Sequence, residues 1–123
     1  MDVEAKAMLH KIVLGLVLLT VSAAGVLAHH GWGSYDAAKP ITIVGPIESS
    51  KFEMPHVLIT VKAPGKVWTV VLAPTSRMMS RGAPAEFVAV GKTVTAYGYA
   101  SRVEPAEMRA ERITVDGKTV EMR

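Results

Sequence analysis

Alternating hydrophobic and polar residues along the second two-thirds of the chain predict a series of short β-strands. A β-prone segment at 41–44 continues through a Gly-Pro pair into 47–52, which predicts one long strand with a bulge or bend in its middle. Residues 56–62 and 67–72 alternate on either side of a turn at 63–66, so these two segments predict a β-hairpin.

Beyond the hairpin, the pattern changes to a short helix and then returns to strands. Residues 75–81 offer a Thr or Ser cap and helix-tolerant side chains, and Gly82 marks the end of this helix. Alternation returns at 92–99, and residues 108–115 predict a further strand that is followed by an Asp-Gly turn. A short last strand is expected at 119–122.

The order of these elements indicates the fold class. Three strands, a short helix and two or three further strands follow the order of an OB-like barrel, which carries its helix between the third and fourth strands. We therefore predict an all-β fold, a small five- to six-stranded OB-like barrel over residues 40–123, with a sandwich of similar size as the alternative. Trp68, Val70 and Leu72 share one strand face. Replacement of Trp68 by Ala is expected to cost about 3–5 kcal/mol if the ring is buried.

The start of the chain has the composition of an export signal. Lys6 and Lys11 precede an apolar segment, residues 12–28, that holds no charged residue. Small residues gather before Ala28, which completes the order of regions in a secretory signal. The sequence therefore predicts a signal peptide at 1–28 that is cleaved after Ala28.

Two alternatives stay open for this segment. Ser22 and Ala24 allow a cut after Ala24, and residues 12–28 are just long enough to remain uncleaved as a membrane anchor. Cleavage after Ala28 leaves an N-terminal segment, 29–39, that carries a His pair ahead of the barrel. The protein is then periplasmic or secreted, with transient membrane contact through its signal peptide.

Composition narrows the function classes. The chain has 123 residues, enough for one domain, and no cysteine for a disulfide, a thiolate metal site or a Cys nucleophile. The charges of the first 28 residues cancel, so the net charge of +3 belongs to the rest, where basic and acidic residues are interspersed. A nucleic-acid-binding domain usually shows a dense basic stripe, so we expect no nucleic-acid partner. The sequence also lacks a phosphate loop, a nucleophile elbow and a zinc-protease motif, which is more typical of a non-catalytic protein.

A set of short motifs covers most of the chain after the predicted signal peptide. They are Ala28-His29-His30-Gly31-Trp32, Asp36 with Lys39-Pro40, Pro55-His56, Trp68, Arg81-Gly82, Gly91 with Val94 and Gly98, Ala110 with Arg112, and Asp116-Gly117. In these motifs the chain resembles an uncharacterised family, a domain of unknown function, of small exported bacterial proteins whose mature region begins with a His-His pair. The resemblance implies export and a small β fold, and it leaves function open. The chain departs from the family's Asn-Pro-His motif in Met54, where Asn is usual, and in Gly31-Trp32, where a Ser and a Phe are common.

Histidines form the candidate metal site. If cleavage follows Ala28, His29 gains a free α-amine, whose pKa of about 7.7–8.0 favours proton loss to a metal near neutral pH. The amine and the ring of His29 would chelate one ion, and His30 or His56 would add a third nitrogen. An all-nitrogen ligand set suits Cu(II), so we predict copper as the cofactor.

Met54 extends this predicted copper site. Pro55 favours an extended Met54, which would point the side chains of Met54 and His56 in the same direction. A thioether beside an imidazole suits Cu(I), and Met78 or Met79 would add a soft ligand. Each residue also has a structural interpretation, with methionines as core filler and His56 hydrogen-bonded to the backbone at the start of a strand.

Three aromatic residues support a different interpretation. Tyr97 and Tyr99, at strand spacing, form with Trp32 a candidate partner-binding face, although such a tyrosine pair often only covers a half-buried sheet. Three arginines near one end of the domain could hold an anion, but the glutamates among them favour a solvated surface of mixed charge. These are Arg102, Arg109 and Arg112.

The sequence thus predicts an exported small binding protein that takes copper through the mature N-terminal His and the His at the start of the second strand. The alternative is a β-barrel module of the cell envelope without a metal, which binds an envelope protein or a small ligand at Trp32, Tyr97 and Tyr99. A third hypothesis is an oxidative copper enzyme with an N-terminal histidine brace, which would need an open coordination position.

Overall fold

A computed structural model of the protein describes residues 31–123, and Trp32–Arg123 forms one compact unit. The predicted signal peptide at 1–28 and the His29–His30 pair lie outside the described residues. Within the described part of the chain, no helix is long and apolar enough to cross a membrane.

Strands account for most of the described residues, and they follow the predicted order. They are β1 (Tyr35–Lys51), β2 (Leu58–Ala63), β3 (Lys66–Val71), β4 (Thr93–Ser101), β5 (Glu107–Val115) and β6 (Lys118–Glu121). The helix α1 (Thr75–Ser80) follows β3, and 3-10 turns lie at Trp32–Ser34 and Ala85–Val88. The α-helix therefore stands between the third and fourth strands, as the sequence pattern predicted.

Five of these strands close into a ring. β1 pairs with β2 and with β4, β2 pairs with β3, and β4 pairs with β5, all antiparallel. A short parallel pairing of β3 with β5, at residues 69–71 and 107–109, completes the circuit. β6 lies on β5 outside the ring. All six strands belong to one continuous sheet. The predicted OB-like barrel is therefore confirmed, and the alternative of a two-sheet sandwich is wrong.

The long first strand bends where the sequence predicted it. β1 begins at Tyr35, so it takes in the last residues of the segment assigned to 29–39. A Cβ on Gly45 would lie 2.2 Å from the carbonyl oxygen of Lys62, so only glycine lets β1 pass this close to β2. The register against β2 shifts immediately afterwards, from Ile47 onward.

The core lies between the inward faces of the barrel strands. Val57, Ile59 and Val61 are fully buried, as their alternation along the chain predicted. Met78 of α1 and Met108 of β5 are fully buried in the same cluster, which supports the core-filler interpretation for these two methionines.

Trp68 lies at the margin of this core. It shares its strand face with Val70 and Leu72, but only those two aliphatic residues are fully buried, and the indole is half-buried against the cluster. The cost of Trp68→Ala should therefore fall below the range for a fully buried ring.

Candidate ligand-binding face

The outer face of β4 and β5 carries the predicted aromatic pair. Val94 points into the core and is fully buried, whereas Tyr97 and Tyr99 lie half-buried on the opposite side of β4. On the neighbouring strand, Arg112 lies opposite Tyr97 and Arg109 lies opposite Tyr99. Each tyrosine therefore has an arginine as its cross-strand partner.

A bulge in β5 sets the spacing of the charged residues on this face. The register of β4 against β5 shifts between Tyr97 and Gly98, which leaves Glu111 without a partner on β4. At this point a Cβ on Gly98 would lie 2.0 Å from the carbonyl oxygen of Arg109. The glycine thus allows the close approach of β5 that fixes the backbone of Arg109.

Trp32 joins the two tyrosines from the 3-10 turn before β1. The backbone N–H of Arg102 donates to the carbonyl oxygen of Ser34 at 2.9 Å, which ties this turn to the end of β4. The rings of Trp32 and Tyr99 meet edge to face at 6.1 Å between centroids, and those of Tyr97 and Tyr99 do so at 6.3 Å. The structure therefore brings together the three predicted partner-binding residues.

Three guanidinium groups stand over these rings. Those of Arg109 and Arg123 each lie 4.1 Å from the centroid of the Trp32 ring. That of Arg112 lies 4.8 Å from the centroid of Tyr97. At these distances each cation is attracted by the negative face of the ring. We call this set the aromatic–arginine face: Trp32, Tyr97, Tyr99, Arg109, Arg112 and Arg123.

The helix α1 holds the C-terminal tail that delivers Arg123. Arg77 donates through Nη1 to the carbonyl oxygen of Met122 at 2.9 Å. Arg81 donates to the carbonyl oxygen of Arg123 at 2.8 Å. These bonds come from a segment more than 40 residues away in sequence, so local patterns gave no indication that Arg123 belongs to the face.

Arg109 is the most unusual residue of the face. It is 9% exposed, and its Nη2 lies 3.3 Å from Nε2 of His56. Among residues 31–123, no carboxylate lies within ion-pair distance of its guanidinium. Charged side chains are seldom buried this deeply without an opposite charge or a ligand. This arginine therefore carries a desolvated positive charge that its described neighbours do not neutralise.

His56 is held beside Arg109 by an extension of the β2–β3 ladder. The N–H of Val57 donates to the carbonyl oxygen of Ala73 at 3.0 Å, and the N–H of Leu72 donates to that of Val57 at 2.8 Å. Because a guanidinium only donates, Nε2 of His56 is the acceptor and its ring proton lies on Nδ1.

Burial and positive charge act together on both side chains. Burial lowers the pKa of His56, and the charges of Arg109 and Arg77 lower it further. Burial also lowers the pKa of Arg109; Tyr35 acts in the opposite direction, and the charges of Arg123 and Arg77 lower this pKa further.

The acidic residues near this face have other partners. Glu107 accepts a hydrogen bond of 3.0 Å from the hydroxyl of Tyr35. Glu111 lies 3.6 Å from Nε of Arg123, and its buried Oε2 accepts no hydrogen bond from the described residues. Arg112 binds Glu121 at 2.9 Å.

This arrangement changes the interpretation of the three arginines that the sequence suggested would share a solvated, mixed-charge surface. Arg102 lies 3.6 Å from Asp36, and Arg112 is paired with Glu121, so both fit that expectation. Arg109 does not, because it is buried beneath Trp32. The expectation is wrong for Arg109, because the glutamates next to it in sequence have other partners in the fold: Glu107 accepts from Tyr35, and Glu111 lies beside Arg123.

The predicted copper ligands are only partly described. His29 and His30 lie outside the described residues, and His56 offers its Nε2 lone pair to Arg109. Met54 is 66% exposed in a bend that follows β1, and its sulfur accepts a hydrogen bond of 3.2 Å from Thr75. The extended segment on which the Met54–His56 pairing depended is therefore replaced by a bend.

Other metal ligands do not gather in the described part of the chain. Within residues 31–123, no group of three or more His, Cys, Asp or Glu side chains is placed to hold a metal ion. Of the two helix methionines, Met78 is fully buried in the core and Met79 is exposed. Copper binding through His29 and His30 stays a prediction.

Comparison with known proteins gives a family and a fold. The sequence profile of a family described as a family of unknown function (DUF6152) matches residues 16–108. No curated protein sequence matches the chain. The fold is similar to that of a chain in the crystal structure of the S. pombe Stn1–Ten1 complex, with a TM-score of 0.51 and 23% sequence identity. The match covers 62% of this chain and 57% of the chain in that complex. At this identity the likeness supports the OB-like fold alone.

Proposed function

We propose that this chain, which belongs to the family of unknown function DUF6152, is an exported, non-catalytic binding module that takes an acidic saccharide on its aromatic–arginine face. One observation carries the proposal. Three touching aromatic rings share one face of the barrel with three guanidinium groups, one of which is buried without a carboxylate among the described residues.

The chemistry of the face favours a ligand that combines rings with negative charge. Aromatic side chains stack on the apolar C–H faces of sugar rings, and guanidinium groups pair with carboxylates through two parallel hydrogen bonds. OB-like barrels are known to bind oligosaccharides on the face of their second and third strands and adjoining loops, so a site on β4 and β5 would be a different use of the fold. An acidic saccharide uses both features, whereas a neutral one leaves the arginines unused.

The charges on the face also favour an anion. Arg109, Arg112 and Arg123 face two partly exposed carboxylates, those of Glu111 and Glu121. Neither carboxylate reaches Arg109, so the face keeps an uncompensated positive charge next to Trp32. A bound carboxylate at this position would neutralise it.

Calorimetric titration with a defined acidic polymer tests this proposal. Polygalacturonate presents a carboxylate on every sugar ring, and its fully methyl-esterified form has the same rings without the charge. We expect the purified protein to bind the first and not the second, because only the first pairs with arginine. Double substitution of Tyr97 and Tyr99 by Ala should abolish binding, since stacking is worth about 1–3 kcal/mol per ring by analogy with bases.

Phe87 provides the matched control. It belongs to the 3-10 turn Ala85–Val88 and not to β4 or β5, and its ring is partly buried against the core with the Lys118 ammonium 5.7 Å from its centroid. Phe87→Leu should leave polymer affinity unchanged. Equal binding of both polymers, or unchanged binding by the Tyr97/Tyr99 double variant, would contradict the proposal.

Copper binding at the predicted mature N-terminus is a separate proposal. It rests on the adjacent His29 and His30 and on cleavage after Ala28. A native mass that begins at His29 and gains one Cu(II), with loss of that gain in His29→Ala, would support it. A chain that begins elsewhere or takes up no copper would remove it.

A further inference from the structure

We infer that the ligand is an extended saccharide chain that continues along β4 beyond Tyr97, and that Thr95, Thr114 and Thr119 form a second subsite for the hydroxyl groups of a following sugar. The inference rests on the proposed function, because it extends the same surface. It goes further in giving a ligand contact to a part of the sheet outside the aromatic–arginine face, and in requiring a chain of sugars and not a single one.

The three threonines lie in one row across neighbouring strands. Thr95 of β4 pairs with Thr114 of β5, and Thr114 pairs with Thr119 of β6. Directly opposite residues of antiparallel strands point to the same side of the sheet. Thr95 is two residues from Tyr97, and Val94 beside it is fully buried in the core, so the row points outward as Tyr97 does. We call these three residues the threonine row.

The threonine row lies directly beside the aromatic–arginine face. Tyr97 pairs with Arg112, which pairs with Glu121 of β6, so this row and the threonine row are successive rows of the same outer surface. Such rows lie about 6.6–6.8 Å apart, the length of two strand residues. Tyr99, Tyr97 and Thr95 follow one another at alternate positions of β4. An extended chain that lies on the two tyrosines along β4 therefore reaches the threonine row next.

The chemistry of the threonine row suits sugar hydroxyl groups. The hydroxyl oxygens of Thr114 and Thr119 lie 2.8 Å apart and share one hydrogen bond. Because each hydroxyl has one proton and two lone pairs, the pair keeps one O–H donor and its remaining lone pairs for a ligand. Sugar hydroxyls also donate and accept, so they match this pair. Val44 of β1, which pairs with Thr95, is uncharged as well, so a sugar can cover the row without desolvating an ion.

A second hydroxyl pair in the sheet provides the matched control. The hydroxyl oxygens of Ser49 and Thr60, on β1 and β2, lie 2.6 Å apart, and the two residues are directly opposite in the register. The pairing of β1 with β4 ends at Pro46, so this pair lies beyond the part of β1 that borders β4. Thr60→Val therefore removes the same kind of hydrogen bond away from the inferred path of the ligand.

Calorimetric titration of the purified protein with the trimer and the hexamer of galacturonic acid tests the subsite. The trimer covers the aromatic rings, and the hexamer also reaches the threonine row, so we expect the hexamer to bind more tightly. Thr114→Val keeps a β-branched side chain that suits a strand. It should weaken hexamer binding about fivefold, as for the loss of one neutral hydrogen bond. It should leave trimer affinity within about twofold of the parent protein, as expected for a site that the trimer does not reach.

Two further variants tie the effect to the threonine row. Thr119→Val, on the exposed side of β6, should weaken hexamer binding in the same way, and Thr60→Val should change neither affinity by more than about twofold. A hexamer can also gain affinity because it can lie on the aromatic rings in more positions than a trimer can. That gain persists in Thr114→Val, so the variant separates it from the subsite.

The outcomes separate the subsite from the proposed function. The subsite would be overturned if the trimer and the hexamer bound equally well, if Thr114→Val bound the hexamer as tightly as Thr60→Val does, or if Thr114→Val weakened both oligomers equally. In each of these cases the proposed function stands as long as polygalacturonate binds. Absence of binding by polygalacturonate and by both oligomers would overturn the proposed function and the subsite together.

Discussion

A positive charge stands over each of the two tryptophans of this chain: an exposed lysine over Trp68 and a buried arginine over Trp32. Lys66 places its ammonium 3.9 Å from the centroid of the Trp68 ring, and the same ammonium donates to the carbonyl oxygen of Pro105 at 3.0 Å. Lys66 is exposed, so water also solvates it. The hairpin that carries Trp68 therefore needs no further partner for its charge.

Trp32 lies against an arginine that water hardly reaches. Arg109 is 9% exposed, has a neutral histidine as its described hydrogen-bond partner, and keeps its charge with no carboxylate nearby among residues 31–123. Burial of an unpaired charge opposes folding, so such a group is more readily explained by ligand binding than by stability. The proposed function therefore assigns a structural role to Trp68 and ligand binding to Trp32.

The largest expected effect comes from breaking the backbone contact beneath the face. Gly98→Ala would place a Cβ 2.0 Å from the Arg109 carbonyl oxygen, so β5 must shift, at a cost of about 3 kcal/mol as in overpacked sites. Gly33→Ala is the control, since a Cβ there meets nothing within 4 Å. Urea denaturation of both variants measures this difference, and equal midpoints would contradict it.

Substitution of the two tryptophans sharpens the comparison directly. Trp68→Ala should lower the free energy of unfolding by about 2 kcal/mol, because its half-buried ring packs on the core. Trp32→Ala should cost less than about 1 kcal/mol, as expected for a ring held by cation–π contacts near the surface. Thermal or urea unfolding of the two variants would contradict this account if Trp32→Ala proved the more destabilising.

Tyr35 offers a test with a smaller expected effect, on the free energy of unfolding and not on ligand binding. Burial raises the pKa of its hydroxyl to about 12, with the Glu107 carboxylate acting in the same direction. Its contribution to stability is therefore present below pH 10 and declines as the pH rises towards 12. Tyr35→Phe should cost about 1 kcal/mol at neutral pH through the lost hydrogen bond to Glu107.

Ultraviolet titration of the tyrosines measures this group separately. The chain has three tyrosines, and the component that ionises last, near pH 12, should vanish in Tyr35→Phe. Persistence of that component in the variant would show that another tyrosine is the buried one.

The smallest expected effect concerns His56. Burial and the nearby arginines lower its pKa below the ordinary value of about 6.5, so the folded protein holds the ring neutral while the unfolded chain protonates it. Stability should therefore decrease as the pH falls from about 6.5 through the pKa of the folded state. His56→Gln should remove this part of the acid dependence, and NMR titration of the ring would contradict the account if the pKa lay above 6.5.

The fold was largely predictable because it depends on local patterns. Alternation assigned Val57, Ile59 and Val61 to the core, and Gly82 ends the helix with a positive φ of 76°, which glycine adopts without strain. The parallel pairing of β3 with β5 was not predictable, since periodicity shows which face is buried and not which strands are neighbours.

The candidate site was predictable only in its aromatic half. Tyr97 and Tyr99 stand at strand spacing, and Trp32 is a large aromatic residue close to the predicted mature N-terminus. Arg123 comes to the face on a C-terminal tail that Arg77 of α1 holds, and no local pattern connects these segments. Arg109 is buried with contacts to Trp32 and His56, which lie far from it in sequence, so its burial could be found only in the folded chain.

Tryptophan fluorescence tests the central claim most directly, because the chain has two tryptophans and each can be isolated. In Trp68→Phe the remaining emission comes from Trp32, and in Trp32→Phe it comes from Trp68. We predict that polygalacturonate changes the emission saturably in Trp68→Phe and leaves it unchanged in Trp32→Phe. A saturable change from Trp68, with none from Trp32, would contradict the assignment of the ligand to the aromatic–arginine face.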